Sequence, residues 1–489
     1  MQVIQKVNGK YKVVKTIGSS FIPEEIERLY QHAQEAIPRM FDQLTLFDTN
    51  STAFSLSDLS NDSICIIGPE IVFGRIFNHI GFHKIKDSMF RDLVISRITH
   101  PGSKLQLSEY LQENAGKDIC VDAIYYFMDK LSQKYKSLVE EISFSYTKQL
   151  LKGRIGIVFY DMTTIYFESS QPDELRMPGF SKDGKHQQPQ IFLGLLVGKN
   201  GYPIGYDIFE GNTYEGHTLI PFLERFQKCF GLEKPIVVAD AGLLSKSNLE
   251  SLKEKNYTFI IGARIKNESK TVVQQIKKGK IPNGQIVEIR KQDGTTLFVS
   301  HSDKRAKKDL SNRIRGLKRL EKNLNAGRLT KSNINNRGYN KYLDMQGELK
   351  IAIDYEKFEA DNQWDGLKGY LTNSNLPGNE VIDSYNNLWK IEKAFRISKT
   401  DLRIRPVYHR LRHRIEAHIC ISFVSFVLYK ELERVLIKSS QKISINKAIR
   451  QIKNMYGVRT EISTNHFRIT PLKNNTMQQS IIDVVDANF

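Results

Sequence analysis

The sequence predicts an α/β fold with a mainly helical region before it and a basic insertion within it. Between residues 23 and 150, apolar side chains recur every three or four positions, which is the period of amphipathic helices. From residue 153 onward, short apolar runs alternate with helical segments, as strands and helices do in an α/β sheet. Near residue 265 this alternation stops and a strongly basic stretch begins.

A chain of 489 residues is too long for one ordinary hydrophobic core. We therefore expect a mainly helical region at 1–152, an α/β domain at 153–438 and a C-terminal tail at 439–489. The insertion is expected at about 265–345. The tail is weakly patterned and predicts no particular element.

The first region is expected to be all-helical, with helices near 24–36, 68–80 and 122–133. Residues 103–111 and the helix after them fit a helix-turn-helix, in which these helices would contact DNA. A plain helical bundle gives the same pattern, and the sequence leaves both interpretations open.

Strands and helices follow in an order that predicts the topology of the sheet. Three strands come first, at 155–160, 190–197 and 203–209. They are followed by a helix at 218–230, a strand at 235–239, a helix capped by Ser245 and a strand at 257–261. Three antiparallel strands before such an alternation are typical of a ribonuclease H-like sheet. The strand pattern returns at 349–355 and 366–372, and helices follow at 379–399 and 411–435.

The insertion combines a predicted hairpin, with strands at 286–290 and 296–300, and a basic helical stretch. Residues 301–350 contain 14 lysines and arginines and 5 acids, a net charge of +9 out of +18 for the whole chain. A solvated helix face is the plain interpretation. The concentration of charge favours a surface that faces phosphate groups.

The composition indicates a polyanionic partner, because 72 basic residues outnumber 54 acidic ones. Nucleic acid is the first candidate and an anionic membrane the second. The sequence contains no apolar run long enough to span a bilayer and no signal-peptide pattern at its start, so we expect a soluble cytoplasmic protein. The four cysteines, Cys65, Cys120, Cys229 and Cys420, lie far apart and predict free, mostly buried thiols without a zinc site.

Three acidic residues are candidates for catalysis. We expect Asp161 to end the first strand, and Asp240 follows the strand at 235–239 with Gly242 close behind it. Glu392 borders the apolar stripe of the helix at 379–399. Each acid alone has an ordinary interpretation, as a turn or cap residue or as the partner of Arg396 in an ion pair.

Together, however, Asp161, Asp240 and Glu392 supply the oxygen ligands that two Mg²⁺ or Mn²⁺ ions need for phosphodiester chemistry. No cysteine or histidine cluster is required for such a site. Arg396 and Lys399, one and two helical turns beyond Glu392, are expected to hold substrate phosphates.

Residues 403–414 form a short basic segment that contains arginines, one tyrosine and two histidines. Arg403, Arg405, His409 and Arg410 are therefore expected to contact DNA, with some base stacking. His409 and His413 have the spacing of metal ligands on a helix, but no third ligand accompanies them, so we assign no zinc site.

Seven short motifs occur in an order that carries a family resemblance: GPEIVFGR at 68–75, HPGSK at 100–104, YDMTT at 160–164, GFSKD at 179–183, EGNT at 210–213, ADAG at 239–242 and RPVYHR at 405–410. With them, the chain from about residue 68 to 435 resembles the DDE transposases of bacterial insertion sequences. The resemblance is to the subgroup with a β-rich insertion between the second aspartate and the glutamate.

The resemblance implies that Asp161, Asp240 and Glu392 are the catalytic triad. The Tyr-x₂-Arg-x₃-Glu-x₆-Lys signature of the subgroup is present as Tyr385, Glu392 and Lys399, and Leu388 stands at the arginine position. Tyr385 is expected to contact DNA. Lys390, Lys393 or Arg396 could supply the missing phosphate contact.

The implied reaction is nicking of element ends by metal-activated water and attack of the freed 3′-hydroxyl on target DNA. The implied assembly is a DNA-bound dimer. Two alternatives remain open: a catalytically inactive DNA-binding regulator, and a nuclease on the same fold, because three carboxylates do not distinguish water from a 3′-hydroxyl.

Overall fold

The structure is a computed structural model that describes residues 1–7, 10–40, 60–168, 171–179, 187–242, 246–335, 338–346, 350–463 and 466–489. The chain divides into two compact units, Met1–Ile64 and Cys65–Phe489. Ser245, Leu349 and residues 180–183 of the GFSKD motif, on which predictions were made, lie outside the described residues.

The first unit begins with an antiparallel hairpin, β1 (Gln2–Val7) and β2 (Lys10–Thr16), which precedes the helix α1 (Pro23–Met40). The prediction of an all-helical start is therefore wrong. The hairpin forms because β-branched residues such as Val3 and Val13 recur in two short runs that pair with each other.

A short strand, β3 (Ile64–Ile66), precedes five helices of the second unit, namely α2 (Gly68–Ile80), α3 (Ser88–Thr99), α4 (Lys104–Ala115), α5 (Val121–Lys130) and α6 (Lys136–Leu150). The helix predicted at 68–80 is confirmed with the same bounds. Apolar side chains of both α4 and α5, among them Leu107 and Phe127, are buried in one helical core. This packing makes both helices part of a bundle.

The central sheet follows, with the elements β4 (Ile157–Tyr166), β5 (Gln190–Gly198), β6 (Pro203–Glu210), α7 (Leu219–Phe230), β7 (Ile236–Ala239), α8 (Lys246–Glu254) and β8 (Thr258–Ala263). These strands lie in the order β6-β5-β4-β7-β8. The first three are antiparallel neighbours, and β7 and β8 run parallel to β4. The predicted strand and helix pattern is confirmed in this part.

The inserted segment contains α9 (Lys270–Lys278), β9 (Ile286–Arg290), β10 (Thr296–His301), α10 (Asp303–Asn325), β11 (Leu343–Gln346), β12 (Lys350–Ile353) and α11 (Tyr355–Ala360), and β13 (Leu367–Thr372) follows it. The predicted hairpin β9–β10 is confirmed. However, it does not form a sheet of its own. Because β13 pairs with both β8 and β10, the hairpin extends the central sheet to eight strands.

The helix predicted at 379–399 is two helices, α12 (Gly378–Asn386) and α13 (Trp389–Arg396), with a π-turn at Ile397–Asp401. The single-helix prediction is wrong at Asn387 and Leu388. There the amides of Leu388 and Lys390 bond to carbonyls three residues earlier instead of four, which tightens the chain into a turn.

The long helix α14 (Arg412–Lys438) confirms the prediction at 411–435, and most of its side chains are buried. Beyond it, the weakly patterned tail contains α15 (Ile445–Ile452), β14 (Tyr456–Ser463), β15 (His466–Pro471) and α16 (Thr476–Asp486). Ile452 and Ile481 of these helices belong to the same apolar core as α14.

All four cysteines are free, as expected, but only Cys65 and Cys420 are buried, whereas Cys120 and Cys229 are exposed. The expectation of mostly buried thiols is therefore wrong for half of them. A membrane-crossing helix would need a longer apolar stretch than any helix in the described residues offers.

Candidate active site

Asp161 and Asp240 lie on neighbouring parallel strands at the same level. The register of β4 and β7 pairs Tyr160 with Ala239, so the next residue of each strand is an aspartate. Parallel strands lie about 4.8 Å apart, which brings the two carboxylates to the same place on the sheet. Asp240 is exposed and Asp161 is half-buried.

The prediction that Asp161 ends its strand is wrong. β4 continues to Tyr166 because it keeps pairing with β5 as far as Gln190. Its neighbour β7 does end at Ala239, and Asp240 follows directly. Asp161 therefore lies on the sheet surface beside the point where β7 stops.

Hydrogen bonds orient both aspartates. Asp161 Oδ1 accepts a hydrogen bond from the amide of Met162 at 2.7 Å. Asp240 Oδ1 accepts one from the amide of Ala241 at 2.7 Å and one from Tyr385 Oη at 3.1 Å. The tyrosine, on α12, thus ties the helical layer to the carboxylate at the end of β7.

Glu392 is exposed on α13, and the buried side chains Ile391 and Phe395 anchor that helix. Its negative charge acts on Tyr385 and Lys368, as the charge of Asp240 does. Burial raises the pKa of Tyr385, and the negative charges of Asp240 and Glu392 raise it further. The two carboxylates therefore lie within electrostatic range of one tyrosine.

Lys368 is a site residue that the sequence reasoning missed. Its Nζ lies 4.4 Å from the centroid of the Tyr385 ring. Burial lowers the pKa of Lys368 and Arg305 acts in the same direction, whereas Asp240 and Glu392 oppose them. A lysine inside the apolar strand β13 was the signal that could have revealed it, because lysine is rarely buried without a partner.

The donor set at this site suits a hard divalent cation, because two carboxylates at matching strand positions present the oxygen ligands that such ions prefer. Within the described ranges, no three acidic, histidine or cysteine side chains lie close enough together to hold a metal ion. The structure thus brings Asp161 and Asp240 together and places Glu392 within electrostatic range of Tyr385 and Lys368, without completing a three-ligand cluster.

The arginine position of the helical signature is filled by a buried residue. Leu388 is 8% exposed and packs in the apolar core. It lies at the break between α12 and α13, so this position faces the protein interior and does not contact a substrate.

The predicted phosphate-binding residues on this helix have different surroundings. Arg396 is exposed, and its charge acts on Asp401 and Tyr429. Lys399 is half-buried in the π-turn that follows α13.

The basic segment that follows lies alongside the end of β4, because Val407 forms a parallel bridge with Phe167. The Arg405 guanidinium lies 5.3 Å from the centroid of the Tyr166 ring, and Arg403 and Arg410 are exposed. Burial, Lys104 and Arg97 lower the pKa of His409 to about 3. His409 is therefore neutral at pH 7 and offers a hydrogen-bonding group but no positive charge.

His413 pairs with an acid. Its Nε2 lies 2.9 Å from a carboxylate oxygen of Asp129, which also accepts hydrogen bonds from Arg414 at 2.7 and 2.9 Å.

The helix α10 has one buried and one cationic face. Arg313, Gly316 and Leu320 are buried. We call the opposite side the cationic face; its exposed members are Lys304, Lys307, Lys308, Arg315, Lys318, Arg319 and Lys322.

Comparison with known proteins gives a family match for the part of the chain that contains these residues. Residues 152–428 match the model of the transposase DDE domain family. This range includes the central sheet, Asp161, Asp240 and Glu392.

A curated relative is the transposase for insertion sequence element IS231E of Bacillus thuringiensis subsp. finitimus, which is 29% identical over 152 residues. The match covers 29% of this chain and 31% of that relative, so the chain spans less than a third of the relative's length in the alignment.

Two solved structures are also similar. A piggyBac transposase synaptic complex with hairpin DNA has a TM-score of 0.40 at 11% identity, over 74% of this chain and 69% of that one. A Mos1 mariner paired-end complex with Mn has a TM-score of 0.15 at 14% identity, over 32% and 54%.

Proposed function

The chain belongs to the family of transposase DDE domains, and from that premise we propose that it is a transposase that cuts and rejoins DNA at the ends of an insertion sequence. The observation that carries the proposal is the pair of aspartates at matching positions of β4 and β7, with Glu392 in electrostatic range of Tyr385, the tyrosine that bonds to Asp240. The strand order of β4 to β8 supports a ribonuclease H-like catalytic domain.

In this proposal Asp161, Asp240 and Glu392 hold two Mg²⁺ or Mn²⁺ ions. Such ions supply a water of lowered pKa and neutralise charge on phosphate oxygens. Tyr385 keeps Asp240 in place through its hydroxyl, and Lys368 adds positive charge beside the carboxylates. Glu392 would complete the ligand set by moving toward the aspartate pair when an ion is bound.

The same site performs both proposed reactions. In the first, water attacks the phosphodiester at the element end and a free 3′-hydroxyl is released. In the second, this hydroxyl attacks a phosphodiester of target DNA and takes the place of the 3′-oxygen that leaves. Since two ends must be joined to one target, the proposed active form is a dimer on DNA in the bacterial cytoplasm.

Metal removal tests the proposal. We expect the full chain to nick a labelled duplex of its element end in Mg²⁺ or Mn²⁺, to join the product to target DNA, and to do neither in EDTA. The products are separated on denaturing gels. Cut ends without joined products would indicate a nuclease, and binding without cutting would indicate an inactive regulator; either result would reject the transposase.

The cationic face of α10 is proposed to contact the DNA backbone. We expect the double substitution Lys318→Gln, Lys322→Gln to weaken duplex binding about tenfold and to reduce the slope of log K against log salt by about two. The slope falls because a protein that contacts one phosphate fewer releases about one counterion fewer from the DNA when it binds. Fluorescence anisotropy at several salt concentrations measures both quantities.

Lys84 and Lys228 are exposed lysines outside this face, and Lys84→Gln, Lys228→Gln is the matched control. An equal loss of duplex affinity in both double variants would show that only the net charge of the protein matters. The proposed contact between the α10 face and the DNA backbone would then be wrong.

A further inference from the structure

A basic cavity of about 620 Å³ lies between α3, the start of α4 and the segment that follows the π-turn. Its wall contains the cations Arg97, Lys104, Arg403 and Arg405, together with His418. Glu109 also lines it and is exposed.

Two of these cations are buried without a counter-charge. Arg97 is 5% exposed and Lys104 is 6% exposed. In the described part of the chain neither forms an ion pair. Arg97 donates to the Gly102 carbonyl at 3.4 Å and contacts His418 Nδ1 at 3.1 Å, whereas Lys104 has no side-chain hydrogen bond to any described residue.

The neighbouring histidine cannot balance this charge. His418 Nε2 lies 2.9 Å from the Ile404 carbonyl, to which it must donate, so Nδ1 is left to accept from Arg97. Burial and the cations Arg97 and Lys104 hold the pKa of His418 well below its usual value. The neutral imidazole therefore accepts a hydrogen bond from the Arg97 guanidinium but contributes no negative charge.

Burying an unpaired cation removes its hydration without a compensating charge, and two adjacent cations repel each other as well. Burial and the charge of Arg97 lower the pKa of Lys104, as expected for an ammonium that lacks an acid. An anion in the cavity would remove this cost. The first-turn amides of α4, a helix of 12 residues that begins at Lys104, favour negative charge at the same place.

The segment that lines the cavity can be placed along the chain relative to the proposed catalytic pair. Val407, in the segment that lines it, forms a bridge with Phe167, which directly follows β4 and is six residues beyond Asp161. Six residues of strand span roughly 20 Å. This distance corresponds to about six base pairs of duplex.

We propose that this cavity binds one phosphate group of the DNA backbone, held by Lys104 and Arg97, several base pairs from the phosphate that is cut. The inference rests on the proposed function for the source of the phosphate. The chemistry of the site itself, a buried cationic cavity for an oxyanion, does not depend on it.

The first test uses inorganic phosphate and no DNA. Phosphate at millimolar concentration should raise the melting temperature of the full chain above that in chloride of equal ionic strength. Lys104→Met should abolish this rise, Lys104→Arg should keep it, and Lys84→Met should behave as wild type. Without phosphate, Lys104→Met should melt no lower than wild type, because it removes an unpaired charge. No phosphate effect on wild type, or an equal effect on Lys104→Met, would overturn the site.

The second test identifies the source of the phosphate. Lys104→Met should bind duplex DNA about tenfold more weakly than wild type and lower the salt slope by about one. Unchanged DNA affinity together with a lost phosphate effect would overturn DNA as the source and leave free phosphate. Neither measurement depends on cleavage, so a failure here is distinct from a failure of the proposed transposase activity.

Discussion

Replacing any one of the three acids by its amide should lower the rate of DNA cleavage by about 1,000-fold or more. Asp240→Asn is the sharpest case. The asparagine keeps the size of the side chain and an oxygen that can accept the hydrogen bond from Tyr385 Oη, and it loses the negative charge that a divalent cation requires. Asp161→Asn and Glu392→Gln should have effects of the same size, because all three carboxylates serve one site.

Single-turnover cleavage of a labelled element-end duplex measures these losses, with DNA binding and the melting temperature recorded for each variant. Glu380→Gln is the matched control, since Glu380 is an exposed acid on α12. It should cleave as wild type does. A triad variant that cleaves within tenfold of wild type would remove that residue from the catalytic assignment.

The variant Tyr385→Phe tests the positioning of Asp240 separately from the binding of the metal ion by the carboxylates. The phenylalanine keeps the ring beside Lys368 and removes the hydroxyl that orients Asp240. We expect a loss of about tenfold, consistent with one hydrogen bond to a charged group. This loss should appear at limiting Mg²⁺, because a less well oriented carboxylate binds the ion more weakly, and a saturating Mg²⁺ concentration should restore a maximal rate close to that of wild type.

The central sheet was predictable because its strands are long apolar runs separated by clear breaks. The strand before Asp240 is an example: Val237, Val238 and Ala239 are fully buried, and the chain then turns polar. The local sequence pattern is sufficient to predict this strand, because a strand buried on both faces is a continuous apolar run that few other elements produce. The same signal predicted that Asp161 and Asp240 each stand where an apolar strand ends, which holds for Asp240 and not for Asp161.

The parts that could not be predicted depend on partners distant in the sequence. β4 continues past Asp161 because β5 pairs with it to Gln190, and nothing local to Asp161 indicates this. The hairpin β9–β10 joins the central sheet through β13, which lies more than 60 residues later in the chain. Lys368 reaches the site through the same strand.

The net positive charge of the basic insertion was taken to favour a surface that faces phosphate groups. One of its cations, however, is buried in an ion pair within the protein. Arg313 of α10 is 5% exposed and donates to both carboxylate oxygens of Asp365 at 2.9 Å. It also contacts Asn362, and its guanidinium lies 5.1 Å from the centroid of the Phe358 ring. This arginine holds α10 against the chain before β13 and is not available to DNA.

Asp365→Ala should therefore destabilise the insertion by about 3 kcal/mol, because it leaves a buried guanidinium without its counter-charge. Hydrogen exchange of the α10 amides should become about 100-fold faster, which reports this local loss directly even when the whole chain does not unfold in one step. Asp303→Ala is the control: its side chain is exposed and lies 3.7 Å from His301, so it should change exchange by less than about fivefold.

Replacing both partners of the pair distinguishes a lost ion pair from lost packing. Burial raises the pKa of Asp365 although Arg313 acts against it, so the desolvation of this carboxylate outweighs its attraction to the guanidinium. The double variant Arg313→Met, Asp365→Leu should consequently restore α10 exchange to within about tenfold of wild type. If the double variant exchanged as fast as Asp365→Ala, the stability of α10 would depend on the ion pair itself, and the desolvation argument would be wrong.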